Sequence, residues 1–167
     1  MIQDLRVMLL RDLATLAREV DLYPDDGSLW KAVPGLANAG GNLALHLCGN
    51  LRHFIGATLG GTGYVRDRDA EFADRDLAKA ALLAEIQATH HDVDATLSAF
   101  PPARLQEPFP IAFAGQHLGT GAFLLHLASH LAFHLGQVDY HRRAATGEAR
   151  GAGAVAISEL LPPAAGA

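Results

Sequence analysis

The residues with most chemical potential lie near the C-terminal end of the chain. His126, His130 and His134 recur at intervals of four, followed by Gln137 and His141. At about 100° per residue, all five project within an arc of roughly 80° on one helix. Their neighbours are apolar: Leu124, Leu125, Leu127, Leu131, Phe133, Leu135 and Val138 fill most other directions. That is the pattern of a helix buried nearly all round. Imidazoles in such a setting must satisfy their nitrogens or stay uncharged. A transition metal is one partner that would do so.

A His-x-x-x-His pair suits chelation because positions i and i+4 share a helix face. A second helix offers another imidazole, since His46 lies in a polar line with Asn42, Asn50 and His53, flanked by Leu45 and Leu47. Three imidazoles from two helices would fill three positions of a metal and leave at least one open, as in a catalytic site. Spacing fits a metal centre and a hydrogen-bonded polar core equally. Nor does it choose between the two pairs within His126, His130 and His134. An open all-imidazole site suits zinc, nickel, iron or copper. It could act as a Lewis acid, or lower the pKa of a bound water or thiol. No Asp or Glu adjoins these histidines in the sequence, and Asp139 falls opposite His130 on the helix. The His-Glu-x-x-His pattern is absent, which argues against a metalloprotease.

Helices must position these groups. Leu5, Leu9, Leu13, Leu16 and Val20 predict a first helix over residues 2–22, with Arg6, Arg11, Asp12, Arg18 and Glu19 on its solvated face. Pro24 to Gly27 end it, and Trp30 is expected to plug one end of a bundle. A second helix is predicted over 39–59, stopped by Gly60 and Gly61, with Cys48 as a small core residue. The charged stretch 62–72 is long for a link between neighbours and reads as a crossover. In it Arg66 and Arg68 could meet an anionic group but read first as surface residues. A third helix is predicted over 74–97, with His90 and His91 solvated. Pro101, Pro102, Pro108 and Pro110 exclude helix and suggest an extended excursion with a short strand pair over 105–113. His117 lies there with no specified role. A fourth helix spans 119–145. Together these give an all-α four-helix bundle with long crossover connections.

The totals agree with one domain, residues 1–147, and an Ala/Gly/Pro-rich tail, 148–167, in which 155–161 could dock and the end fray. At 167 residues, half of them hydrophobic, the chain can bury a sizeable core. The apolar runs are too short to span a membrane, and no signal peptide is read at the N-terminus. The lone Cys48 excludes an internal disulfide framework and fits a reducing, cytoplasmic setting. A net charge of −5 and the lack of a basic stripe speak against nucleic acid or membrane partners.

The segment from Ser129 to Gln137 resembles the last-helix signature of the DinB-like superfamily, a His-x-x-x-His followed one residue later by Gly-Gln. Leu45 to His53 is similar to its second-helix motif, in which one histidine supplies the remaining ligand. The resemblance extends over roughly residues 1–145 in element order. It implies His130, His134 and His46 as metal ligands. Outside that set, His126 on the same face could hydrogen-bond a ligand or substrate, and Asn50 and Gln137 are candidates to orient a ligand or a bound water, since ligating histidines usually donate their other N–H. It implies zinc or nickel foremost, with iron or copper as alternatives, and often a homodimer. It further implies a thiol S-transferase that uses a low-molecular-weight thiol of the bacillithiol or mycothiol type on small electrophiles. A hydrolase using metal-activated water, in which His126 could act as base, and a non-catalytic metal- or ligand-binding stress protein are the alternatives.

Overall fold

The computed structural model describes residues 1–161. The frayed end expected beyond residue 161 lies outside them. Helix α1 (Ile2–Asp21) buries Leu5, Leu9, Leu13, Leu16 and Val20 along one stripe. A four-residue turn, α2 (Asp26–Leu29), follows, capped by Asp25, whose carboxylate accepts from Ser28 N at 2.7 Å. It delivers Trp30 to the bundle end as expected: the ring is buried, and Nε1 donates to Leu77 O at 3.0 Å.

The second long helix has three parts. Helix α3 (Gly40–Leu51) runs into a π-helical turn, Arg52–Ala57, and then into one α turn, α4 (Thr58–Gly60). Gly61 stops it with φ of 68°, the left-handed value glycine adopts freely. The stretch after it holds a short helix, α5 (Arg68–Ala73), capped by Asp67. Helix α6 (Lys79–Ala99) therefore starts later than the periodicity predicted; residues 74–78 are not helical, and Asp76 has φ of 68°. After a 3₁₀ turn, Pro102–Gln106, the proline-rich excursion forms two isolated bridges, Pro108 with Gly119 and Phe113 with Gln116, rather than a strand pair. Helix α7 (Thr120–Thr146) ends at Gly147.

Helix α1 packs against α6 and α7, and so does α3. Of the pairs consecutive along the chain, α1–α3 and α6–α7 therefore sit across the bundle from one another, whereas α3 and α6 are neighbours. The crossovers are residues 22–39 and 100–119, whereas 61–78, expected to cross, joins neighbours. Freed from spanning the bundle, its extra length folds back as α5 onto α3.

Two further expectations change. Arg11, Asp12 and Glu19 are buried, not solvated. Glu19 pairs with Arg142 at 2.6 Å, side chains 1% and 0% exposed, while Arg142 also donates to Arg150 O at 2.6 Å. The docked tail covers this side of α1: Arg18 donates to Ala152 O at 2.9 Å and pairs with Glu159 beside the 3₁₀ turn Ile157–Leu160. Nor is α7 buried all round. Leu124, Leu127, Leu131, Leu135 and Val138 are in the core, but Leu125 is 54% and Phe133 64% exposed. One side of α7 is open, so its histidine face can be reached from solvent. No helix among the described residues is long and apolar enough to cross a membrane.

Candidate metal centre

Helix α7 carries His130 and His134 on successive turns, and α3, packed beside it, supplies His46. One ring nitrogen from each lies within 4.8 Å of the others, and no other such cluster exists among the described residues. His46 Nε2 and His130 Nε2 are 3.2 Å apart. Two imidazole nitrogens on a tetrahedral zinc stand about 3.3 Å apart, from Zn–N bonds of about 2.0–2.1 Å.

Hydrogen bonds decide which nitrogens face inward. His46 Nδ1 lies 2.9 Å from Glu71 Oε2. A carboxylate only accepts, so Nδ1 carries the proton and Nε2 presents a lone pair. Gln137 Oε1, 2.6 Å from His134 Nδ1, does the same for His134. His130 Nδ1 is buried without a partner. Two of the three rings thus have a fixed tautomer.

Arg66 secures Glu71 in turn. Its Nε donates to Oε1 at 2.6 Å and its Nη2 to Oε2 at 2.8 Å, a bidentate fork. Nη2 is also 3.2 Å from His46 Nδ1, so two donors converge on one carboxylate oxygen. Burial opposes ionisation of Glu71, but the bonds from Arg66 and His46 outweigh it and hold its carboxyl below the usual range. The backbone makes room for this contact at Gly49, where an added Cβ would stand 2.0 Å from Glu71 Oε1. Asn42 completes the docking of α5, donating to Glu71 O at 3.0 Å and to Asp74 O at 2.9 Å.

Burial pushes His130 down to about 4, assisted by the neighbouring His134, His46 and His126. His134 is lowered as well, first by burial. Both are therefore neutral at physiological pH, the form that ligates a metal. Phe72 packs on His46 at 4.9 Å between centroids, shielding that ring.

The remaining sequence candidates disperse. His126 is exposed, makes no hydrogen bond among the described residues, and lies 6.1 Å from His130 between ring centroids. Asn50 is buried but bonds to no ligand candidate, and its Oδ1 has no partner. His141 is engaged elsewhere along the same helix: it is buried between Tyr23 Oη, 2.8 Å from Nδ1, and Lys31 O, which accepts from Nε2 at 2.9 Å. Cys48 is an inert core thiol, raised to about 12 by burial. Arg66 is not the surface residue expected, and the carboxylate that sequence adjacency denied to the histidines comes from Glu71. The helix-interior Gly49, three residues after His46, was the available signal of a close approach.

The class so defined is an all-α bundle in which three inward imidazole nitrogens, one backed by a carboxylate, could hold a metal ion, with no fourth protein ligand among the described residues. The chain belongs to the DinB superfamily, whose family profile matches residues 8–138 and so takes in all three histidines. No protein of curated function and no solved structure matches it significantly.

Proposed function

We propose that the protein is a metal-dependent S-transferase. Its open centre, held by His46, His130 and His134, would take the sulfur of a low-molecular-weight thiol for transfer to a small electrophile. When bound, a divalent cation such as zinc or nickel supplies the positive charge that keeps a ligated thiol deprotonated near neutral pH. The observation that carries the reading is the convergence of three imidazole nitrogens within 4.8 Å with no fourth protein ligand among the described residues. Glu71 and Gln137 hold two of those rings in the ligating tautomer. Phe72 keeps water off the back of His46.

The same centre could instead activate water as a hydrolase. Against that, Glu71 is not free to act as base, because Arg66 occupies both its oxygens and His46 shares one. Elemental analysis of protein purified without immobilised nickel, alongside a His130→Ala/His134→Ala variant, tests the centre. Stoichiometric metal in the native chain, lost from a still-folded variant, is the expected result. Consumption of an electrophile that requires both the metal and an added thiol, with the S-conjugate as product, then supports the transferase. Thiol-independent turnover would replace it with the hydrolase. A native chain that takes up none of zinc, nickel, iron or copper overturns the reading.

A further inference from the structure

The sequence holds seven phenylalanines, and four of them form a cluster joined to the centre through His126 and Arg66. Phe109 and Phe123 are buried and pack at 4.3 Å between centroids, their planes tilted by 45°. Phe54 and Phe113 lie on top of them, at 5.1 Å and 4.9 Å from Phe123, and are only half-buried.

The cluster borders the centre on two sides. His126 is stacked on Phe123 at 5.9 Å and reaches His130 at 6.1 Å. On the other side the Arg66 guanidinium, which grips Glu71, lies 5.9 Å from the Phe54 ring centroid. Its charge is met by Glu71, so the rim beside the rings is electrically quiet.

Both half-buried rings are set by unusual backbone. In an unbroken α-helix Phe54, eight residues after His46, would point roughly 80° away from it. The wider π turn at Arg52–Ala57 turns less per residue and swings Phe54 back toward the His46 face. Such turns are rare and recur at functional sites. Phe113 is held by a tight turn, its N and O bonded to Gln116 at 2.8 and 3.0 Å. That turn needs Ala114 at φ of 49°, a conformation costly for a residue with a Cβ.

We infer that Phe54 and Phe113, backed by Phe109 and Phe123, form a wall that receives an uncharged aromatic group of the substrate. On this inference, which rests on the metal-centre reading, the electrophile is an aryl compound rather than a small aliphatic one. Flat rings can meet the half-buried faces and edges offset or edge-on. A charged group would gain no counter-ion there.

Two hydroxamates that share one chelating head test it. Acetohydroxamate and benzohydroxamate are titrated into zinc-loaded protein by calorimetry, with Phe113→Ala and Phe54→Leu variants in parallel. Benzohydroxamate is expected to bind at least about tenfold more tightly, from burial of its ring. Each variant should cut that preference severalfold while leaving acetohydroxamate affinity unchanged. Equal affinity of the two probes for the native protein overturns the aromatic wall and leaves the metal centre standing. So does a preference that survives both substitutions. A native protein that takes up zinc but binds neither probe, or that takes up none of zinc, nickel, iron or copper, overturns the open centre and the wall together; one that takes up another of these metals in place of zinc is titrated with that metal, and the same outcomes apply.

Discussion

Replacing Glu71 with glutamine leaves the shape of the side chain and removes its charge. The native carboxylate serves three contacts: Arg66 Nε at 2.6 Å, Arg66 Nη2 at 2.8 Å and His46 Nδ1 at 2.9 Å. A glutamine has one accepting oxygen, and its amide nitrogen would oppose the remaining donors. If that oxygen stays on His46, the tautomer survives and only the charge assistance is lost. If it turns to Arg66, the ring is released and Nε2 no longer has to present a lone pair. Supporting partners of this kind are worth about 10–100-fold in metal affinity. That is about 1.4–2.7 kcal/mol, with the first outcome at the low end and the second at the high end. The assay is competition for zinc against a chromophoric chelator at pH 7.0–7.5, with circular dichroism confirming that the variant is folded. A Glu71→Gln protein that binds zinc within about twofold of native would refute the positioning role, since a supporting partner of this kind is worth about tenfold at least.

Gly49→Ala attacks the same contact from the backbone. An added Cβ would lie 2.0 Å from Glu71 Oε1 and 2.8 Å from its Cδ, so the carboxylate must withdraw. In the native background the substitution should lower zinc affinity about as far as Glu71→Gln does. In a Glu71→Ala background nothing is displaced. There alanine should stabilise the fold by up to about 1 kcal/mol, its advantage over glycine inside a helix. An identical effect of Gly49→Ala in both backgrounds would show that Gly49 serves some purpose other than seating Glu71.

Two predictions concern the scaffold. Arg142→Met leaves Glu19 buried and uncompensated, with one oxygen already lacking a partner. The expected loss is about 3–5 kcal/mol by urea unfolding, with much of it recovered in a Glu19→Gln/Arg142→Met pair; a loss under about 1 kcal/mol would contradict the burial of this ion pair. The metal-free protein should also lose stability in mild acid. His130 in the fold has a pKa of about 4 against an ordinary 6.5, and His134, His141 and His53 are lowered too. Their stabilisation is complete above about pH 6.5 and is lost as pH falls toward the folded values. His130 is only half-buried, so its share is discounted to on the order of 1 kcal/mol, or about 2–4 °C in Tm between pH 7 and 5. Zinc should raise Tm at both pH values and steepen that loss, because it binds only the unprotonated rings; a metal-free Tm that holds or rises on acidification would contradict the lowered imidazoles.

What was legible in the sequence is what periodicity encodes. His130 and His134 share a face because four residues nearly complete a turn, and Asn42, His46 and Asn50 repeat that spacing on a second helix. Their partly buried line was expected and is found. The long helices follow from the apolar stripes for the same reason. The error on α7 has a physical source as well. Leu125 and Phe133 count as apolar wherever they point, and hydropathy does not say whether another helix covers that side. Glu19 misled in the opposite sense, since a charge can be buried if a partner arrives, and Arg142 lies 123 residues away.

The layer behind the ligands was not legible, because no repeat encodes it. Glu71 and Arg66 sit in a charged connection, where composition predicts solvent. Their burial depends on that connection joining neighbouring helices and folding back, a fact of bundle order that no local pattern carries. The π turn is equally silent, since one extra residue per turn leaves no mark on residue type. Yet the sequence holds one trace of this layer in Gly49. A glycine inside an apolar helix gives up about 1 kcal/mol of helix stability, which calls for a compensating contact. Here that contact is the carboxylate oxygen that would meet an alanine Cβ at 2.0 Å. The ligands belong to the helices, but their orientation belongs to the connection. The His-x-x-x-His spacing therefore shows where a metal could sit, while Glu71 over Gly49 gives His46 the tautomer needed to hold it.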